Sequence, residues 1–549
     1  YNGFLVLKAT PDIPGLPKKI DFKFGQFSAI VDDLRIIVPG DYSIEIYKDD
    51  IKLITSNPLR IEESPFAHFW SDMHGQSGES IGTGTAREYF TFARDRSFVD
   101  ITGHQANDFQ ISDNFWDEIN ALTSEFNVEG KFLCLPGYEW SGNTGLGGDH
   151  NIWYRSEGRP IYRSSRALIG DITRPETDCH DIKDLFEALR DEDVIVVPHV
   201  GGRFADVSYA HDARLEPSVE VHSSWGTFDW ILQQSLQSGH RIGIVSGSDG
   251  HKGRPGASYP GDAKFGSYGG LTCHLLPKLS RSVLFEEFRR RHHYATTGIR
   301  MFLSAELHFA EPAWVYVRNP DFAPNDYEMQ TTAIMGDIVK TQSTEAKFAL
   351  QVSAPSPVER IELYDGVSLL ETVRTFNESE LGDRIRVICK GQETFGRGRL
   401  VKWTGQMRMT GVNATHISAV NYYNPDNQPQ LTSPNQIDWS TVTTGGFSAI
   451  DVWLSNATAD AGINIKTNLG NLSVKVSDVG LIPTVLKCGG IDKTLSVQRL
   501  PLKLTQTCVN LNRPILVDDI QERAIFARIS LENGHIAWSS PIYVGRCKS

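Results

Sequence analysis

Six short apolar segments of this chain run directly into a histidine or an acid, and those junctions are where chemistry would sit. Segment 68–71 leads to Asp72-Met73-His74-Gly75-Gln76-Ser77, and 98–102 leads to Gly103-His104-Gln105, with Asn107 and Asp108 close behind. Segment 132–135 leads to Gly137-Tyr138-Glu139, and 194–198 ends at His199. Segment 218–221 ends in Glu220 and His222, and 242–246 runs into Ser248-Asp249-Gly250-His251. Imidazole and carboxylate together are the ligand set of Zn, Mn and Fe. Without a metal, several buried histidines beside acids would carry a large desolvation cost. Any one of these histidines alone reads as an ordinary hydrogen-bonded side chain; the ordered set points to a metal centre.

The surrounding pattern says what must position them. All but His308, His416 and His535 of the 16 histidines lie between 67 and 300. In that span short apolar runs alternate with helical periodicity. Asp181 can cap a helix in which Ile182, Leu185, Phe186 and Leu189 share one face, and 85–96, 226–238 and 281–294 read the same way. Such alternation predicts an α/β layer or barrel whose parallel strands bring their C-terminal ends to one rim. Residues 1–66 read as a small β module, with a hairpin turned by Asp49-Asp50. From 301 to 549 the helices stop. Phe348, Leu350 and Val352 alternate, as do Ile525, Ala527, Ile529 and Leu531, which predicts an all-β region of one or two sandwiches. With three scattered histidines, this region is expected to shape the site entrance and to supply no ligand.

Composition narrows the partners. The chain has 549 residues, 40% hydrophobic and 22% charged, an ordinary globular balance. A net charge of −13 argues against nucleic acid and anionic lipid as partners. No run approaches the roughly 18 apolar residues of a membrane span. The 7 cysteines form no CxxC, which argues against a cysteine zinc site and a dense disulfide framework. One disulfide among Cys488, Cys508 and Cys547 is conceivable. The chain opens at Tyr1 without Met, so cytoplasmic and exported (periplasmic) locations both stay open.

Other residues of the rim segments are candidates for substrate contact. Glu220 and His222 are two apart on a strand and so share a face, where Glu220 could orient His222 as acid or base; a buried strand-end pair is the equal alternative. Arg203 follows His199, and Lys252 and Arg254 follow His251, so cations flank the histidines and suggest an anionic group on a small-molecule substrate. The glycine-rich stretch 247–270 is long enough for a lid. Tyr138, Trp140, Trp153 and Trp225 are either pocket walls or core.

The motifs SDMHGQS, ITGHQAND, PGYEWSG, GGDHN, VVPHVGG, VEVHSSWG and SGSDGHKGRPG resemble, in order, those of the PHP (polymerase and histidinol phosphatase) superfamily over roughly 70–300. Nearly all of the chain resembles an uncharacterised bacterial PHP-like family, through YATTG at 294–298 and AWSSPIYV at 537–544 as well. The resemblance implies a distorted (β/α)7 barrel between β regions, with two or three divalent metal ions. It makes His74 the first His of HxH, His104 the His of the second motif and Glu139 the glutamate bridging two metals. His150 and His199 become the two histidines of one metal, and Asp249 with His251 the closing pair; Asp249 would also serve the attacking water. Two positions depart from the pattern. Gln76 stands where the second His of HxH is usual, and Gly103 where an Asp is usual. Gln76 is then a poorer ligand or a substrate contact, and Glu79, Asp72 or Asp108 could substitute. The implied activity is a metal-dependent hydrolase, most of all of phosphoesters. The same likeness extends to PHP-like enzymes that cut carbamates and aryl esters, and a non-catalytic, metal-stabilised glycan-binding protein is the other alternative.

Overall fold

The structure is a computed structural model and describes residues 3–170, 177–259, 267–422, 424–517 and 521–547. The middle of the glycine-rich stretch, 260–266, therefore lies outside the described residues. Five strands between Gly3–Thr10 and Leu59–Ile61 make an open N-terminal sheet. The hairpin joining Gly40–Lys48 to Ile51–Thr55 turns at Asp49 and Asp50, both left-handed (φ 48° and 62°), the conformation that matches strand twist in a two-residue turn.

Between 67 and 300 the chain is α/β, with its strands in several sheets. Ala67–Asp72, Ile101–Gly103 and Leu133–Leu135 pair in parallel, as do Ser218–Ser223 and Gly243–Ser246. Gly137–Ser141, Asp149–Tyr154 and Val194–Pro198 pair antiparallel instead. The link 142–148 is too short for the dozen or more residues of a parallel crossover, so an antiparallel hairpin carries Glu139 and His150. The uniform parallel rim expected from the sequence is thus replaced by a mixed one.

Local signals explain most helices. Thr85 and Glu88 form a capping box on Ala86–Phe92, Asp181 caps Ile182–Ala188, and Ser280 caps Arg281–Arg289. The helix expected to run to 294 stops at Arg289, because Arg291 turns left-handed (φ 64°) and His293–Thr296 becomes a strand. Met73, Ile101, Leu133, Trp153, Ile195, Val197, Val245 and Leu276 pack together, all buried, next to the ligand-bearing segments. Each such aliphatic side chain contributes roughly 1.5–3 kcal/mol on burial, so the site rests on a packed support.

The β-rich remainder is two units, one inserted in the other. A 15-stranded sheet runs from Leu133–Leu135 through Ala67–Asp72, Leu271–Leu276 and His293–Thr296 into Ile536–Ser539, Arg523–Leu531 and Phe302–Tyr316. Strands between Arg384–Gln392 and Ile491–Leu500 form two further five-stranded sheets around Ile385, Trp403, Met407, Ile437, Val452, Ile465 and Val497. This inserted sandwich leaves and rejoins the larger sheet. All seven cysteines are free, so the conceivable disulfide among Cys488, Cys508 and Cys547 is not formed. Among the described residues no helix is long and apolar enough to cross a membrane.

Candidate metal centre

The loop after Ala67–Asp72 and the loop after Gly243–Ser246 zip together. Asp249 N–H donates to the His74 carbonyl (2.8 Å) and Gln76 N–H to the Gly250 carbonyl (2.9 Å). Asp72 fixes the same junction, accepting from the N–H groups of Ser248 (2.9 Å) and Gly256 (2.7 Å). That occupies its carboxylate with a structural task. Gly247 is demanded by proximity: a Cβ there would lie 2.7 Å from the His74 Cβ and 3.0 Å from Glu220 Oε2. Asp249 is itself left-handed (φ 44°), an uncommon conformation for a residue with a side chain.

These constraints gather five side chains in the interior. His74 Nδ1–H donates to Glu220, with Oε2 at 3.0 Å, which aims Nε2 at Asp249 Oδ1 (3.3 Å) and Glu139 Oε2 (3.9 Å). The His199 ring packs edge-on against His74 (4.4 Å between centroids), with its Nε2 3.8 Å from Glu139 Oε1. His74, His199, Glu139, Glu220 and Asp249 are all buried. His74 Nε2 and both nitrogens of His199 have no hydrogen-bond partner. Two overlapping triplets, His74–His199–Glu220 and His74–Glu139–Asp249, offer ligand atoms within 4.8 Å of one another.

The electrostatics describe a site that wants a cation. Burial pushes the His74 imidazole down, but the Glu220 and Asp249 carboxylates outweigh it and hold the group well above its ordinary value. Burial drives His199 well below its ordinary value, and a charged His74 adds to the effect. The two carboxylates facing Nε2 call for positive charge there, which a proton supplies on an imidazolium and a divalent ion supplies on the neutral ring. The donor set, the bare nitrogens and the carboxylate holding Nδ1 all fit such an ion.

The other expected site residues lie around this cluster. His251 is 4.0 Å from Asp249 Oδ1, half-buried, with its ring edge against Trp225. His150 donates from Nδ1 to the Gly148 carbonyl (3.0 Å) and turns Nε2 to Glu216 Oε1 (3.1 Å). Burial raises the Glu216 carboxyl, yet the His150 and His211 imidazoles beside it bring it down to about 2. His104 packs among Tyr89, Phe90 and Phe115 with Nε2 on Ser77 Oγ (2.8 Å), and burial lowers it to about 3. The structure thus places His104 in an aromatic shell, outside the two triplets.

Gln76 lies within the cluster's surroundings, donating to Asn107 Oδ1 (3.3 Å) and Glu139 Oε2 (3.5 Å) and accepting from Ser80. Gly103 has a local cause. A Cβ there would meet the Trp153 indole nitrogen at 2.7 Å, and that nitrogen donates to the Met73 carbonyl (3.1 Å) just before His74. The indole fills the place an aspartate would take. Asp108 is spent on Ser141 and Ser164, and Glu79 on Ser77 and the Ala86 N–H.

The imidazole that Glu220 holds is His74, because a bulge between Glu220 and His222 breaks their common face. His222 accepts from Thr227 Oγ1 (2.9 Å) and donates to the Tyr268 carbonyl (3.0 Å), which engages both nitrogens. Arg203 is tied to Asp149, Nε to Oδ1 at 3.0 Å. Lys252 and Arg254 are exposed. Trp140, Tyr138 and Trp153 are core, and Trp225 lines the approach to His251. Asp149 and Glu216 escaped the sequence reading. Asp149 stands beside His150 in GGDHN and so carried a signal, whereas Glu216 sits in no motif.

No family model matches the chain. An uncharacterised protein of Chlamydia pneumoniae is 24% identical over 308 residues, 51% of this chain and 47% of that protein. Uncharacterised proteins of Chlamydia muridarum and Chlamydia trachomatis match at 22% and 20% over 307 residues, with the same coverage. The chain spans about half the length of these relatives. Among solved structures, a two-domain Bacteroides vulgatus protein, described as containing a predicted PHP-like metal-dependent phosphoesterase, aligns at 10% identity. That alignment covers 75% of this chain and 96% of the other, with a TM-score of 0.31.

Proposed function

We propose that this chain is a metal-dependent hydrolase acting on a small phosphoester with an anionic group, and that 67–300 is a distorted PHP-type barrel opened into several sheets. One observation supports it above all: bare nitrogens of His74 and His199 face Asp249 and Glu139 in a buried cluster. The ordered motifs add to it. His74, His199, Glu139 and Asp249 would hold the first ion, with His251 and His150 at its flanks. Zn, Mn or Fe bound there, in two or three copies, would polarise the ester and make water nucleophilic near neutral pH. The protein's own groups do the rest. Glu220 keeps the His74 proton on Nδ1, so Nε2 stays a donor of electrons. Asp249 accepts a hydrogen bond from the attacking water and steers it. Lys252 and Arg254, exposed beside His251, draw an anionic substrate to the rim.

Elemental analysis for Zn, Mn and Fe, followed by turnover of aryl phosphate mono- and diesters, an aryl ester and an aryl carbamate, tests this. The expected result is bound metal and phosphoester cleavage. Cleavage of the carboxylic ester or carbamate alone keeps the reaction class and overturns the phosphoester preference. Protein that binds no metal and cleaves nothing after Zn or Mn is added overturns the reading.

A further inference from the structure

The inserted sandwich reaches the metal centre through a loop that carries no ligand. Residues 393–400 leave the first of its strands and lie on Val200-Gly201-Gly202, the segment immediately after His199. Arg399 is fully buried. Its Nη1 donates to the Val200 carbonyl (3.2 Å), its Nη2 to the Gly201 carbonyl (2.5 Å) and its Nε to the Gly396 carbonyl (2.9 Å). The guanidinium carbon lies 5.3 Å from the Phe228 ring centre and 6.0 Å from that of Trp225, the same indole that meets His251. Arg397 Nε takes the Gly202 carbonyl (2.9 Å), and Phe395 packs on Trp230 (4.6 Å) and Phe204 (6.1 Å).

Two features make this more than a domain contact. Among the described residues no ion pair joins Arg399 to a carboxylate; backbone carbonyls and aromatic faces receive its charge. Burial lowers it only to about 10, with Asp149 and Asp249 drawing it upward, so it stays charged at neutral pH. A buried cation without a paired acid is costly and persists where the surroundings fix it. The captured segment also bears on the ligand. His199 and Ala205 close a tight loop (Ala205 N–H to the His199 carbonyl, 3.0 Å), and a Cβ at Gly201 would sit 3.0 Å from His199 Cε1 and 2.9 Å from Asp149 Oδ2. The His199 ring thus lies against Gly201, with no room for a side chain between them.

A second loop of the sandwich anchors nearby. Thr227 N–H donates to the Thr444 carbonyl (2.9 Å), and Gly445 (φ 74°) is pressed so close that a Cβ would overlap the Thr227 carbonyl. Thr227 is the residue that holds His222.

We propose that Arg399 is a positioning residue of the metal centre, holding the His199 imidazole in register from behind and making the inserted sandwich part of the site. The proposal rests on the metal-centre reading. It predicts that the clamp sets metal affinity, as groups behind the ligands do in other metal sites, by roughly 10–100-fold.

The test uses the full chain with Zn or Mn as the only probe, in competition with a chromophoric chelator. Arg399→Lys retains the charge but cannot span two carbonyls, and is expected to lose roughly 10–100-fold in metal affinity. In a separate turnover assay with the aryl phosphoester, its kcat should fall more than its KM rises. Should Arg399→Lys fail to fold, the pair Phe395→Ala with Arg397→Ala loosens the same loop without touching a buried charge. That pair should weaken metal binding by roughly three- to tenfold, a smaller share of the same effect. Unchanged metal affinity in a folded Arg399→Lys, or in the pair when Arg399→Lys does not fold, overturns the clamp while the metal centre stands. A wild type that binds neither ion overturns the metal-centre reading, and the clamp with it.

Discussion

The molecule buries two clusters of charged groups, and they are built to different ends. In the inserted sandwich and its seam, Arg386 binds Asp451 through Nε (2.6 Å) and Nη2 (2.9 Å) and Glu359 through Nη1 (2.6 Å), while Arg384 reaches Asp451 and Glu532. Gln498 and Arg360 take the other oxygen of Glu359. Every carboxylate meets a guanidinium or amide. Around His74, by contrast, two imidazoles and three carboxylates converge with no basic side chain but histidine among them, and nitrogens stay bare. The sandwich network keeps bare donors at Arg384 Nε and Arg374 Nη1, yet it is closed in that each of its carboxylates is met by a guanidinium; the cluster around His74 is open, because its carboxylates meet only imidazole and neutral groups, which leaves charge for a ligand. Both clusters are buried, so the difference lies in which bases meet the acids.

The sharpest way to separate the two is to neutralise one acid in the open cluster. Asp249→Asn keeps the shape and removes the charge, and turnover should fall about a thousandfold or more, with the circular dichroism spectrum unchanged. Glu139→Gln should behave alike. A folded Asp249→Asn with full metal and full activity would show the cluster to be a second structural network.

Arg386→Met should act on the fold instead. Removing one partner of a buried ion pair typically costs about 3–5 kcal/mol, read as a lower denaturation midpoint. Metal content should stay at the wild-type level.

Acid should find the closed network as well. Burial raises the Glu359 carboxyl, but Arg386 and Arg360 outweigh this and bring it from 4.5 down to about 2. A depressed carboxyl contributes its full stability above its unfolded value and loses it as pH falls through the folded one. Unfolding free energy should therefore decline between pH 4.5 and 2, and less so in Glu359→Gln.

Chelation should reach the open cluster alone, lowering the melting temperature by a few degrees, since an ion that binds only the native state adds stability. An unchanged melt in protein shown to be metal-free would make the centre peripheral to the fold. The smallest effect belongs to Lys252→Ala. An exposed cation is worth about 0.2–1 kcal/mol, so KM for an anionic ester should rise no more than about fivefold, and less at high salt.

Much of the centre was legible because its residues follow short apolar runs that form the expected strands. Ala67–Asp72, Val194–Pro198, Ser218–Ser223 and Gly243–Ser246 lie where the pattern put them, and each delivers its histidine or acid. Strand direction was not legible from the runs themselves, since a buried run reads alike in parallel and antiparallel pairs. Only the short 142–148 link argued for the hairpin of Glu139 and His150. The end of the helix at Arg289 was hidden because an arginine, not a glycine, takes the left-handed position after it. The bulge that parts Glu220 from His222 leaves no mark in sequence. Arg399 was out of reach for a deeper reason. Its meaning depends on an inserted sandwich folding back 198 positions to touch Gly201.

The long shared sheet has a consequence for how the chain is made. His293–Thr296 pairs on one side with Leu271–Leu276, and its other side is covered by Ile536–Ser539, with Ile536 N–H bonding Thr297 Oγ1 across 239 positions. During synthesis, at roughly 5–20 residues per second, the segment carrying the candidate metal-binding residues emerges long before that covering strand. A nascent chain stalled near residue 300 thus presents an unpaired strand edge, the kind that recruits other chains. Chaperone dependence should consequently concentrate in the interval between translation of the ligands and translation of 536–539.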